Sequence, residues 1–140
     1  LAPLAENKGI ALNCAGDALV TGSDTLLYRL VFNLVENAIR YSRSGSTVNV
    51  SISDNDSNVF LRVEDQGPGI PKQYRESIFQ PFFRVDKSRS RAYGGAGLGL
   101  ALVWEIAALH GGTVEVETSS ENGTVMLVSL PKRFAASTEQ

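Results

Sequence analysis

Val48-Asn49-Val50-Ser51-Ile52 and Val59-Phe60-Leu61-Arg62-Val63, joined by the polar residues 53–58, alternate apolar and polar side chains with a period of two. Two such runs with a polar connection are the pattern of a half-buried β-hairpin. On its N-terminal side, Gly22-Ser23-Asp24 offers N-cap chemistry, and the spacing predicts a helix running to about Ser42. Leu27, Leu30, Val31, Leu34 and Ala38 recur at helical spacing and are expected to form its buried stripe. Earlier still, Ile10-Ala11-Leu12-Asn13-Cys14 and Ala18-Leu19-Val20-Thr21 read as short strands divided by a turn at Gly16-Asp17. On the C-terminal side come a Gly/Pro turn after Asp65, a short helix over about 73–79, and a helix over 98–110 with Leu98, Leu102, Ile106 and Leu109 on one face. Two strands near 113–117 and 124–130 close the chain. Strands and helices alternate in pairs rather than as strict βαβ units. The expected class is α/β, a two-layer sandwich of a mixed β-sheet covered on one face by helices. Residues 1–6 read as the end of a linker, 7–132 as one domain, and 133–140 as a frayed tail.

Composition narrows the function classes. A chain of 140 residues fits one domain, and 43% hydrophobic with 20% charged residues is ordinary globular usage. Thirteen Lys+Arg against fifteen Asp+Glu, a net charge of −2, argues against a nucleic-acid partner. The single Cys14 excludes an intrachain disulfide and any multi-cysteine metal site, and fits a reducing compartment. No apolar run approaches the ~20 residues that span a bilayer. No signal-peptide pattern opens the chain, which begins with Leu, so it is expected to be a cytosolic domain excised from something longer.

Three clusters carry chemistry. Asn33, Asn37, Arg40 and Tyr41 fall on one arc of the first helix, with Glu36 beside them. A carboxamide oxygen suits Mg²⁺, a nearby cation could meet a phosphate, and an aromatic could lie against a base; a polar helix side facing water fits equally. Asp65-Gln66-Gly67-Pro68-Gly69-Ile70 ends an apolar strand in a rigid turn that lets the backbone approach a ligand, or serves as a plain strand-ending turn. Its carboxylate could accept a hydrogen bond from an exocyclic amine. Gly94-Gly95-Ala96-Gly97-Leu98-Gly99-Leu100 leads into an apolar helix, where successive N–H groups can face an anion. It is neither a Walker A loop nor a dinucleotide fingerprint. Between these clusters, Phe79 and Phe82 are expected to be core anchors, while Arg84, Lys87, Arg89 and Arg91 could reach a phosphate chain or form a solvated run.

The order and separation of these clusters carry more than each alone. Asn33-Leu34-Val35-Glu36-Asn37-Ala38-Ile39-Arg40-Tyr41 resembles the N box of sensor histidine kinases, and Asp65-Gln66-Gly67-Pro68-Gly69 their G1 box. Ile78-Phe79-Gln80-Pro81-Phe82-Phe83-Arg84 is similar to the F box, and Gly95-Ala96-Gly97-Leu98-Gly99-Leu100 to the G2 box. The chain thus resembles, over nearly its whole length, the ATP-binding catalytic domain of two-component histidine kinases, in the gyrase, heat-shock chaperone and MutL superfamily with its Bergerat ATP-binding fold. The resemblance implies ATP and Mg²⁺ as cofactors, with Asn37 on the metal, Asn33 beside it, Arg40 on phosphate and Tyr41 near adenine. It implies that Asp65 accepts the adenine amine, with Gly67, Gly69 and Ile70 shaping the base pocket. Residues 84–96 would be the ATP lid, with Arg84 a candidate to stabilise charge on the γ-phosphate. Gly95, Gly97, Leu98 and Gly99 would bring the next helix to the phosphates. Two positions depart from the pattern: Ala96 and Val125 stand where the family commonly has Thr.

Gyrase-like and chaperone ATPases place a water-activating Glu four residues before the magnesium Asn. Here that position is Asn33, a carboxamide that takes no proton near neutral pH, which favours transfer to an incoming nucleophile over hydrolysis. Glu36 is the remaining carboxylate on the arc; it either assists catalysis or is a solvated helix residue. His110, before Gly111-Gly112 and with no acidic residue after it, reads as helix-ending chemistry rather than a phosphoacceptor. The accepting histidine is then expected on a separate dimerising helical domain of the same kinase, which would feed the receiver domain of a response regulator. The isolated domain is expected to be a monomer, and its parent to be anchored in the bacterial inner membrane with this domain on the cytosolic side. An anti-sigma-factor-like serine kinase and a non-catalytic nucleotide-binding module are the alternatives; Glu at position 33 would mark the first, decay of the boxes the second.

Overall fold

The computed structural model describes residues 9–16, 20, 22–83 and 98–132. Its strands are β1 (Ala11–Ala15), β2 (Thr47–Asp54), β3 (Asn58–Asp65), β4 (Thr113–Ser120) and β5 (Gly123–Pro131). Its helices are α1 (Asp24–Tyr41) and α2 (Gly99–Leu109). The strands form one five-stranded sheet in the order β1-β2-β3-β5-β4. β1 runs parallel to β2 and every other pairing is antiparallel, so the sheet is mixed. α1 bridges the one parallel pair, and β5 is inserted between β3 and β4, the strands that flank α2 in sequence.

The alternation of β2 and β3 sets the faces. Val50 pairs with Val63 and Ile52 with Leu61; on the far side of β3, Leu61 meets Val128 and Val63 meets Met126. These side chains join Leu30, Leu34 and Ile39 of α1 and Val103 and Ile106 of α2 in a single core. Burial of each large apolar side chain contributes about 1.5–3 kcal/mol against the entropy of ordering the chain. The opposite sheet face is mixed, with Phe60, Val125 and Leu127 among polar side chains such as Ser51, Arg62 and Glu64. There the Arg62–Glu117 ion pair, 2.8 Å from Nε to Oε1, spans β5 above Leu127.

The hairpin forms as its alternation predicts. Ser23 caps α1, its Oγ accepting the Leu26 N–H at 3.2 Å, and the helix ends at Tyr41, one residue short of expectation. Its buried stripe is Leu30, Leu34, Val35, Ala38 and Ile39 rather than the predicted set. Val31 is exposed and Leu27 only half-buried, because α1 packs against α2 as well as the sheet, which turns the stripe toward Val35 and Ile39. In α2 the buried residues are Val103, Ile106 and Ala107, whereas Leu98 and Leu109, expected inside, are exposed. The expected helix over 73–79 is instead two 3₁₀ turns, Lys72–Tyr74 and Ser77–Phe79. Phe79 is a core anchor, but Phe82 is 69% exposed: its φ of 65° turns it outward while Phe83 packs on Tyr74 with ring centroids 5.6 Å apart. The expected strand at 18–21, the linker end, the lid at 84–96 and the tail lie outside the described residues, apart from Val20, which is in no strand.

Candidate functional site

Strand alternation decides where Asp65 points. Val59, Leu61 and Val63 face the helices, and so does Asp65 at the end of the same row, where it is 7% exposed. Its Oδ1 accepts two backbone N–H groups, from Gly67 at 2.9 Å and from Thr124 at 3.2 Å. Among the described residues both of these bonds fall on one oxygen, which leaves Oδ2 as the acceptor for anything entering from the helix side. Burial raises the carboxyl above its ordinary value, the two N–H groups pull it back, and the Glu64 charge adds to the rise.

The loop after Asp65 is clasped to the end of α1. The Gln66 N–H donates to Ser42 Oγ at 3.1 Å, and Arg43 Nη1 donates to the Gln66 carbonyl at 3.0 Å. Gly67 presses so closely on the Tyr41 carbonyl that a Cβ there would collide with it. Gly69 has φ +87° and lies against the Ser120 carbonyl, so it is glycine for conformation and for space. Ile70 is half-buried against the core.

The other end of the arc meets α2. Asn33 turns its Nδ2 back to the Arg29 carbonyl at 2.7 Å, and its Oδ1 faces Gly99, where a Cβ would sit 3.3 Å away. The Asn37 side chain, one turn further along, makes no hydrogen bond among the described residues, so its carboxamide oxygen is open to a ligand. Glu36 pairs with Arg40 at 3.4 Å. Tyr41 is exposed. A cavity of about 730 Å³ opens off the Asn33 end, walled by Phe79, Pro81, Leu98 and Trp104; Asp65 is not among its walls.

Thus Gly67 and Asp65 meet the Tyr41 end of α1 and Leu98 and Gly99 its Asn33 end, with Glu36, Asn37 and Arg40 between them on the helix, while Gly69 and Ile70 are held against Ser119 and Ser120 of β4. Arg84, Gly95 and Gly97 lie outside the described residues, as does Ala96. The second departure, Val125, pairs with Glu64 on the sheet face opposite Asp65 and so does not touch the site. Sequence reasoning missed Thr124, Ser119, Arg43 and Arg75, which hold the loop mostly through backbone groups.

Residues 22–133 match the family described as histidine kinase-, DNA gyrase B- and HSP90-like ATPase. The sensor-like histidine kinase SenX3 of Mycobacterium tuberculosis is 46% identical over 117 residues, 84% of this chain and 28% of that protein. This chain therefore spans less than a third of SenX3. Among solved structures, the mycobacterial sensor histidine kinase MprB superposes with a TM-score of 0.80 at 32% identity, covering 94% of this chain and 89% of that one. The catalytic domain of histidine kinase ThkA gives 0.82 at 29% identity, covering 96% and 86%; ThkA is also solved in complex with the response regulator protein TrrA. With this fold and these clusters, the chain belongs to the histidine kinase-, DNA gyrase B- and HSP90-like ATPase family, as an ATP-binding catalytic domain of the sensor histidine kinase kind.

Proposed function

We propose that this chain binds Mg-ATP along α1 and presents the γ-phosphate to a histidine on a separate dimerising helical domain of the same kinase. One observation carries the reading. Gly67 abuts Tyr41 at one end of the arc and Gly99 abuts Asn33 at the other. Eight residues of α-helix separate those contacts by about 12 Å, so one extended ligand with a base at one end and phosphates at the other can meet both. A base at the Asp65 end would give its exocyclic amine to Oδ2, with Ile70 and Tyr41 against the ring. The phosphates would then lie beside Asn37, Asn33 and the N-terminus of α2, with Arg40 in reach.

The donor set fits magnesium: Asn37 offers a neutral oxygen, and Mg²⁺ takes one or two protein ligands plus waters and phosphate oxygens. The metal would neutralise charge on the phosphate chain. What Asn33 does not offer is a base. Its amide is bound to the Arg29 carbonyl, so water is not activated there, whereas a neutral imidazole needs no such help. Arg84, Gly95 and Gly97 are assigned to the phosphate end on the motif alone, and Glu36 is assigned to holding Arg40. The parent is read as a membrane-anchored sensor with this chain on the cytosolic side, paired with a response regulator, on the family resemblance alone.

Calorimetric titration of the chain with Mg-ATP, with released phosphate followed in the same sample, tests the reading. Binding with no appreciable release, followed by labelling of a phosphoacceptor helical domain added in trans, is the expected result. Steady phosphate release by the chain alone would return the hydrolase reading. No binding at all would leave the boxes as fold without function.

A further inference from the structure

Arg75 lies between the two 3₁₀ turns and belongs to none of the four boxes. Its guanidinium reaches the carbonyls of two distant segments: Nε donates to Ile70 O at 3.1 Å and Nη2 to Ser119 O at 3.1 Å. Ser119 closes the circuit. Its Oγ accepts the Ile70 N–H at 2.8 Å and lies 2.7 Å from Thr124 Oγ1. The Thr124 N–H in turn meets Asp65 Oδ1 at 3.2 Å. Residues 66–70 belong to no strand, so this circuit, with Gly69 against Ser120, is what ties the loop to β4. Two carbonyls held side by side repel unless one cation bridges them. A planar guanidinium does so with two donors of fixed spacing, which a lysine ammonium cannot reproduce.

The geometry points to Arg75 as a positioning residue that sets base selectivity: through Ile70 and Ser119 it fixes the loop, and so the place of the base edge relative to Asp65. It touches no ligand itself. The inference rests on the reading that Asp65 receives the exocyclic amine.

The test compares binding of ATP with that of purine riboside triphosphate, which lacks only that amine, to this chain and to Arg75→Ala, Arg75→Lys and Ser119→Ala. The unsubstituted chain should prefer ATP by about tenfold or more, the worth of one hydrogen bond to a charged group. Arg75→Ala should cut that preference to about threefold or less, with Arg75→Lys in between. In an Asp65→Asn background, Arg75→Ala should change the ratio no further, since both act on one contact. If Arg75→Ala weakens both nucleotides equally and keeps the ratio, its role is structural only and the inference is overturned. Should Arg75→Ala fail to melt cooperatively, an unchanged ratio in both Arg75→Lys and Ser119→Ala overturns it instead. Equal binding of the two nucleotides before any substitution would overturn the reading of Asp65 itself.

Discussion

Asp65 and Thr124 are register partners on adjacent antiparallel strands, and the Thr124 N–H donates to Asp65 Oδ1 at 3.2 Å. A side chain at the end of the apolar row of β3 is thereby held by the backbone of β5, with the Gly67 N–H on the same oxygen at 2.9 Å. The carboxylate is buried at some cost to stability, as its raised pKa records. A costly acceptor held in place by two backbone N–H groups is what base recognition needs.

Asp65→Asn separates the cost from the use. The amide keeps Oδ1 for both N–H groups but removes the buried charge, so ATP should bind about ten- to a hundredfold more weakly while the fold holds. Because the folded-state pKa is raised above 3.8, the stabilising contribution of Asp65 is complete below that value and is lost as pH rises through the raised one. The stability of Asp65→Asn relative to the native chain should therefore grow across that window and then level off. Denaturant melts of both ligand-free proteins across a pH series check the direction; equal ATP affinity would remove Asp65 from the site.

Gly67→Ala tests the clasp on α1. Its Cβ would run into the Tyr41 carbonyl, a backbone atom that cannot swing aside, and overpacking of this kind costs about 1–3 kcal/mol. Gly45→Ala is the comparison: φ is +81° there, but nothing lies near the added atom. Both variants should melt below the native chain, whereas only Gly67→Ala should also weaken ATP. Loss of affinity in both would mean that lowered stability alone explains the effect.

Much of this arrangement is legible in the sequence, for definite reasons. The period-two runs of β2 and β3 fix the sheet face on which Asp65 stands, and Ser23 announces the start of α1 by its capping oxygen. Less is legible where the chain gives no contrast. α2 reads Gly-Leu-Ala-Leu-Val-Trp-Glu-Ile-Ala-Ala-Leu, apolar almost all round, so periodicity cannot set its phase, and Leu109, with Leu98 at the cap before it, is exposed where the spacing predicts burial. Phe82 is exposed through one backbone angle that no residue type signals. The circuit of Arg75, Ser119 and Thr124 joins positions 44 and 59 residues apart, mostly through carbonyl and N–H groups that every residue carries.

Asn37→Ala asks whether the open carboxamide serves a metal. The side chain has no hydrogen bond among the described residues, so its removal should change stability by no more than about 0.5 kcal/mol. If Asn37 holds Mg²⁺, the native chain should bind ATP more tightly with magnesium than with a chelator, and the variant should show no such difference. Titrations in both media read this directly. A magnesium dependence that survives the substitution would place the metal on other ligands.

His110 should take no phosphate. It caps α2, is 5% exposed, and uses both ring nitrogens: Nδ1 lies 2.9 Å from the Ile106 carbonyl, and Nε2 accepts the Ser23 N–H at 3.1 Å. A nitrogen facing a carbonyl must carry the proton, so the lone pair is on Nε2, and it is spent on the first residues of α1. Gly22 makes room for the ring, since a Cβ there would strike it. His110→Ala should thus remove the partner of the half-buried Ser23 N–H, leave a cavity where the buried ring stood, and cost about 2–4 kcal/mol in a denaturant melt, without touching any atom placed near ATP. Incubated alone with labelled ATP and magnesium, the native chain should hold no acid-labile phosphate. Label on His110 would show that α2 and α1 part at this contact far enough to free a nucleophile, and the acceptor need not then lie on another domain.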